Sequence, residues 1–173
     1  MTARHQVRLM LAVLALSVFP AVLLAETGGL SGRSVMFNVL TYDDPATPLF
    51  VGSGYAAKVI PGPEFGMVRE GTEGLDVVPV LVDLSDHRID LSYAETPPGQ
   101  FASATFNGYV LTFPTNCVLI GGAQIDPTTT TLPLTYADLT LSANSLSINV
   151  AGLRFDQTTR IGVKVSVMDC PLS

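Results

Sequence analysis

Val78-Pro-Val-Leu-Val-Asp-Leu-Ser-Asp-His-Arg-Ile-Asp-Leu-Ser-Tyr-Ala94 is the stretch that decides the fold. Val78, Val80, Val82 and Leu84 fall on one side of an extended chain, with Pro79, Leu81 and Asp83 on the other. After the polar run Ser85-Asp86-His87-Arg88, Ile89, Leu91 and Tyr93 alternate in the same way with Asp90, Ser92 and Ala94. Successive side chains of a strand point to opposite faces, so the stretch predicts a β-hairpin with one face buried. Pro79 has no N–H to give a ladder, which places the first strand at a sheet edge or delays its start.

The same alternation extends outward in both directions. Val35, Phe37, Val39 and Thr41 share one face of a stretch that ends at Asp43-Asp44-Pro45, where proline fixes φ and aspartate bonds its own backbone. Tyr55 to Ile60 makes a second strand, closed by Pro61-Gly62-Pro63, and Gly66 to Gly74 reads as a loop or a weak edge. Downstream, Phe101 to Phe113 is apolar around Asn107-Gly108, which is read as a bulge. Cys117 to Ile120 is a short strand ended by Gly121-Gly122, and Asp126-Pro127 with Thr128 to Thr131 makes a polar connection. Leu139 and Leu141 turn at Ala143-Asn144-Ser145 into Leu146, Ile148 and Val150, and Ile161 to Val167 is the last strand. Helical periodicity is nearly absent. Eight or nine short strands with connections too short for parallel crossovers predict an antiparallel two-sheet β-sandwich, jelly-roll-like or immunoglobulin-like.

The N-terminus has a different character. Arg4, His5 and Arg8 precede a stretch from Leu9 to Leu24 that is apolar apart from Ser17, and Ala25 then leads into Glu26 and a Gly/Ser stretch. This is the layout of a secretory signal peptide over residues 1–25, with an uncleaved membrane anchor as the alternative. It is followed by an expected flexible segment, 26–33, and a single β-sandwich domain, 34–173. No second apolar run of that length exists, so no membrane contact is expected once the signal is removed. The leader holds two of the nine basic residues and none of the fifteen acidic ones, which leaves seven against fifteen and a formal charge of −8. A chain so acidic, without a basic stripe, is a poor ligand for phosphate backbones, and nucleic acid is excluded as an expected partner. Export makes a disulfide between Cys117 and Cys170 the expected state of the two cysteines, with buried free thiols as the alternative.

No catalytic cluster emerges. His87, the one histidine after the leader, sits in a turn between Asp86 and Arg88, where exposure explains it. Gly52-Ser53-Gly54 lacks the spacing of a nucleophile elbow. Glu64, Glu70, Glu73 and Asp76 crowd one segment, yet glycoside hydrolysis needs two carboxylates at a set separation with one kept protonated. Calcium is a stronger chemical idea, because Asp43, Asp44, Asp83, Asp86, Asp90 and Asp126 place hard oxygens in turns, although no EF-hand spacing is present. Phe50, Tyr55, Phe65, Tyr93, Phe101, Tyr109 and Tyr136 include candidates for a sugar-stacking platform, with core packing as the plainer use of most of them. No cofactor and no resident metal are expected.

Four segments together carry a resemblance: Phe37-Asn-Val-Leu-Thr-Tyr-Asp-Asp-Pro45, Val59-Ile-Pro-Gly-Pro-Glu-Phe65, Val82 to Leu91, and Phe106-Asn-Gly-Tyr-Val-Leu-Thr112. They resemble a group of small exported bacterial β-sandwich proteins, many of which end in a PEP-CTERM-type sorting tail. This chain finishes Asp169-Cys-Pro-Leu-Ser173 and lacks that tail. The resemblance implies a secreted or periplasmic bacterial protein, with cell-envelope or extracellular-matrix components as partners, and it lends no catalytic residues. The expected function is that of a non-enzymatic structural or interaction protein. A glycan- or calcium-dependent binding module and a strand-exchanging assembly subunit are the alternatives.

Overall fold

The structure, a computed structural model, describes residues 28–66, 71–72, 75–114 and 118–169. Two antiparallel sheets pack face to face. One holds, in order, β11 (Leu139–Ser142), β12 (Ser145–Asn149), β9 (Phe106–Thr112) and β1 (Ser34–Tyr42); β2 (Phe50–Val51) and β3 (Tyr55–Lys58) share the far edge of β1. The other runs β10 (Val118–Ile125), β14 (Arg160–Asp169), β7 (Arg88–Ser92), β6 (Leu81–Ser85), and Phe65 bridges to Val82 beyond its edge. Two short ribbons complete the described strands: β4 (Gly71–Thr72) with β5 (Leu75–Asp76), and β8 (Gly99–Gln100) with β13 (Arg154–Phe155). Nine of these fourteen strands have four residues or more, which matches the eight or nine expected, and the other five are two-residue pieces.

The deciding hairpin forms as its alternation dictates. Ser85 pairs with Arg88 around a two-residue turn at Asp86-His87, and Val82, Leu84, Ile89 and Leu91 are buried. β6 starts only at Leu81 and lies at the edge of its sheet, as Pro79 requires. The hairpin of β11 and β12 also keeps its expected turn, with Ser142 opposite Ser145.

A chain of aromatic rings crosses the core. Phe65 stacks on Phe37 with ring centroids 5.2 Å apart, and Phe37 stacks on Tyr109 at 5.6 Å. The Tyr93 hydroxyl donates to that of Tyr109 at 2.9 Å, joining the end of β7 to β9 in the facing sheet. Tyr93 also packs against Phe101 and Phe155, which sit 4.6 Å from each other. Burial pushes both phenols up from their ordinary pKa, so the pair stays protonated and self-satisfied in an apolar interior. Phe65, Tyr93, Phe101 and Tyr109 are therefore core residues.

Several expectations change. Asn107-Gly108 is no bulge: both residues sit inside β9 in unbroken register with β1, and Gly108 also pairs with Asn149 of β12. A Cβ at Gly108 would collide with the Ile148 carbonyl, so the glycine serves close strand approach. Strand β9 starts at Phe106, and Phe101 to Thr105 is irregular. Gly121-Gly122 does not end a strand; β10 runs through it, with the register slipping by one residue between Ile120 and Gly122. Part of the segment 26–33, expected to be flexible, packs against the sandwich. Leu30 is fully buried, and its N–H donates to the Asp86 carbonyl at 3.0 Å. Cys117 and Cys170, and with them the expected disulfide, lie outside the described residues, as does the expected signal peptide.

Candidate functional site

The outward face of the four-stranded sheet has a covered end and an open one. At the covered end the turn after β10 folds back over β14. The Asp126 N–H donates to the Gly162 carbonyl at 2.8 Å, and the Thr128 N–H and hydroxyl donate to Asp126 Oδ1 at 3.1 and 2.8 Å. The Thr130 hydroxyl both donates to the Gly162 carbonyl and accepts from its N–H. Arg88 on β7 ties these parts together, donating through Nε to Asp90 at 2.6 Å, through Nη1 to Asp126 at 2.5 Å and through Nη2 to Thr129 at 2.6 Å. Lys164 Nζ adds a contact to Asp126 Oδ1 at 3.3 Å. The Arg88 guanidinium first, then Thr128, hold the buried Asp126 carboxyl well below the usual carboxylate range. Gly162 has no room for a side chain, because a Cβ would meet Thr129 and Arg88. This cluster is a polar clasp that holds the turn to the sheet.

The open end lies around Gly121 and Gly122. A groove of about 670 Å³ runs over their backbone. Its rim on the sheet side carries His87, Gln124, Lys164 and Ser166, and Tyr136 and Leu141 enter from the edge of the other sheet. None of the residues lining the groove is acidic. Tyr136 is 72% exposed. It sits in a short 3-10 turn, Tyr136–Asp138, closed by a capping box: the Thr135 N–H donates to Asp138 Oδ2 at 2.7 Å, and Thr135 Oγ1 accepts from the Ala137 N–H at 3.2 Å. Met168 lies over Gly121 and is 49% exposed.

A smaller pocket of about 210 Å³ opens between β1, β2 and β9 and is lined by Val39, Phe50, Val77, Phe101 and Val150. A third depression, of about 450 Å³, holds Asp83, Asp90 and Arg160. Asp83 and Asp90 face each other across the hairpin, and burial together with the Asp90 charge raises the Asp83 pKa.

Apart from the facing pair Asp83 and Asp90, and Asp126, which shares Arg88 with Asp90, the structure separates the sequence-selected carboxylates. Asp43 accepts from the Thr105 N–H, Asp44 from the Ala46 N–H, and Asp86 from the Ser31 N–H. Glu64 accepts from the Ile60 and Leu84 N–H groups at 3.0 and 2.7 Å, which fastens the segment before Phe65 to β6. Among the described residues, no three His, Cys, Asp or Glu side chains converge on one point. Glu70 and Glu73 lie outside the described residues, and so does the Asp76 side chain. His87 is exposed in its turn and lines the groove, where its backbone carbonyl also accepts from the Val165 N–H at 2.9 Å.

Sequence reasoning named Tyr136 only as one of seven aromatics and gave Lys164, Gln124 and Ser166 no role. A signal for the turn did exist, since Thr135 and Asp138 have the spacing of a capping box, but nothing in the sequence marks the Tyr136 ring as exposed. No family model, curated protein or solved structure matches this chain.

Proposed function

We propose that the chain is an exported, non-enzymatic interaction protein of the bacterial envelope or extracellular matrix, which acts by surface recognition. The observation that carries the reading is the acid-free groove beside Tyr136, an exposed ring on a capped turn. Support also comes from the candidate acids: Asp43, Asp44, Asp86 and Glu64 are committed to backbone N–H groups and Asp90 and Asp126 to Arg88, which leaves Asp83 as the exception. A signal-like leader and a β-sandwich that carries its recognition surface on a rigid sheet fit the same role.

The test is a broad hydrolase and esterase screen on protein recovered from the periplasm or medium, with its N-terminus sequenced. Inactivity and a start at Glu26 are the expected results. Strong turnover of any substrate class sinks the non-enzymatic part, and an intact leader on a cytosolic product sinks the export part.

One further observation favours a second reading. Leu49, Val51 and Ile60 are all more than half exposed beside β2 and β3, the free edge of the larger sheet. Such an edge suits an assembly subunit. Light scattering across a concentration series separates the two readings, since a strict monomer rejects assembly.

A further inference from the structure

We propose that the groove beside Tyr136 binds an acidic polysaccharide, one whose sugar rings carry carboxylates. The inference rests on the surface-recognition reading and names the ligand class of that same site.

The ring comes first. An aromatic side chain left 72% exposed gains little from folding, and Tyr136 is held in place from both sides of its turn by Thr135 and Asp138. The capped turn fixes where the ring starts from, and the face of an exposed aromatic ring is what the C–H face of a pyranose stacks on. The floor comes second. At Gly122 a ligand approaches the backbone of β10 directly, over Gly121 it has only the end of Met168 to displace, and a volume of about 670 Å³ holds more than one ring. The rim comes third. Gln124, Ser166 and His87 mix donors and acceptors, as an array of sugar hydroxyls demands.

Charge selects the acidic class. The whole chain carries a formal −6, yet no acid lines this groove and a lysine does. The Lys164 ammonium has three donors and is 59% exposed, while its inner partner Asp126 is already shared with Arg88. It retains the capacity to meet a second carboxylate from outside. A neutral glycan would make no use of that charge.

The experiment is isothermal titration calorimetry of the mature protein with oligoalginate and oligogalacturonate, set against cello-oligosaccharides of equal length. Binding of the uronates is expected. Tyr136→Ala should weaken it roughly tenfold and Tyr136→Phe should restore it. Lys164→Gln should weaken it several-fold and flatten its salt dependence. Leu49→Ser, on the far edge, should bind as the parent does. Absence of uronate binding, or binding that survives Tyr136→Ala unchanged, overturns the inference. Equal affinity for the neutral oligomers overturns the acidic class and leaves surface recognition standing. Shortened oligomers in the recovered ligand would instead overturn the non-enzymatic reading beneath it.

Discussion

The two ends of the outward face of the four-stranded sheet use glycine in opposite ways. At Gly162 the missing side chain lets the Asp126–Thr130 turn and Arg88 lie directly on the strand, and hydrogen bonds fill the space. At Gly121 and Gly122 the space stays open, bordered by Tyr136 and roofed in part by the movable end of Met168. The contrast separates packing from recognition. A glycine under a satisfied polar network belongs to the fold, and one under an empty groove is available to a ligand.

Among the described residues the open end has no clasp like that at Asp126, and the largest expected effect concerns what holds it. Val118 opposite Asp169 is the last described rung there, and Cys117 and Cys170 are the next residues in sequence. A disulfide between them, expected of an exported chain, would staple the chain there. Reducing it should cost about 4 kcal/mol, read as a lower urea midpoint in reductant. Thiol titration of unfolded, unreduced protein should find none, and two free thiols would remove the staple from the comparison.

The next effect strikes the covered end. Gly162→Ala introduces a methyl group where Thr129 and Arg88 already sit, so overpacking should destabilise by about 1–3 kcal/mol. Urea denaturation measures it. A neutral result would show that the turn lifts off the sheet without cost and that the clasp holds nothing.

Acid should loosen the same clasp. Asp126 is held below its ordinary value by Arg88, so its stabilising contribution is complete above the unfolded carboxyl pKa of about 3.9 and drains away as pH falls beneath it. Asp86 and Asp156 are lowered too and add to that slope, whereas Asp83 is raised and opposes it. Arg88→Gln should lower stability at neutral pH and make its fall below pH ~4 shallower, because less of the Asp126 shift remains to be lost. Urea midpoints across a pH series give the slope. An unchanged slope would mean that Arg88 is not what holds Asp126 ionised.

Much of the fold could be read from alternation alone. The Leu81–Ser92 and Leu139–Asn149 hairpins, β1 and β14 each show a clear period of two, because each buries one face only. Gly108 and Gly121 look like breaks in the sequence because a glycine signals a break when its neighbours in space are unknown. The needs of Gly108 are set by the Ile148 carbonyl, forty residues downstream in sequence. The clasp was hidden for the same reason: Asp126 looked like one more loop acid until Arg88, on another strand, was seen to reach it. Of the groove only its residue types were legible, since concavity arises where the edges of two sheets meet.

The smallest expected effect is the one that most sharpens the comparison. A methyl group at Gly121 comes within 3.0 Å of Met168 Cε, the far end of a flexible and half-exposed side chain that can swing aside. Gly121→Ala should therefore leave stability within about 0.5 kcal/mol of the parent, with lost chain entropy in the unfolded state offsetting the small displacement. The same methyl group projects over the groove floor, so oligoalginate affinity should fall although the fold does not. Paired with Gly162→Ala, it gives two identical substitutions on one face of one sheet, one read in the urea midpoint and the other in the calorimeter. If both register only as lost stability, the open end is packing surface as well, and the distinction between the two glycine sites collapses.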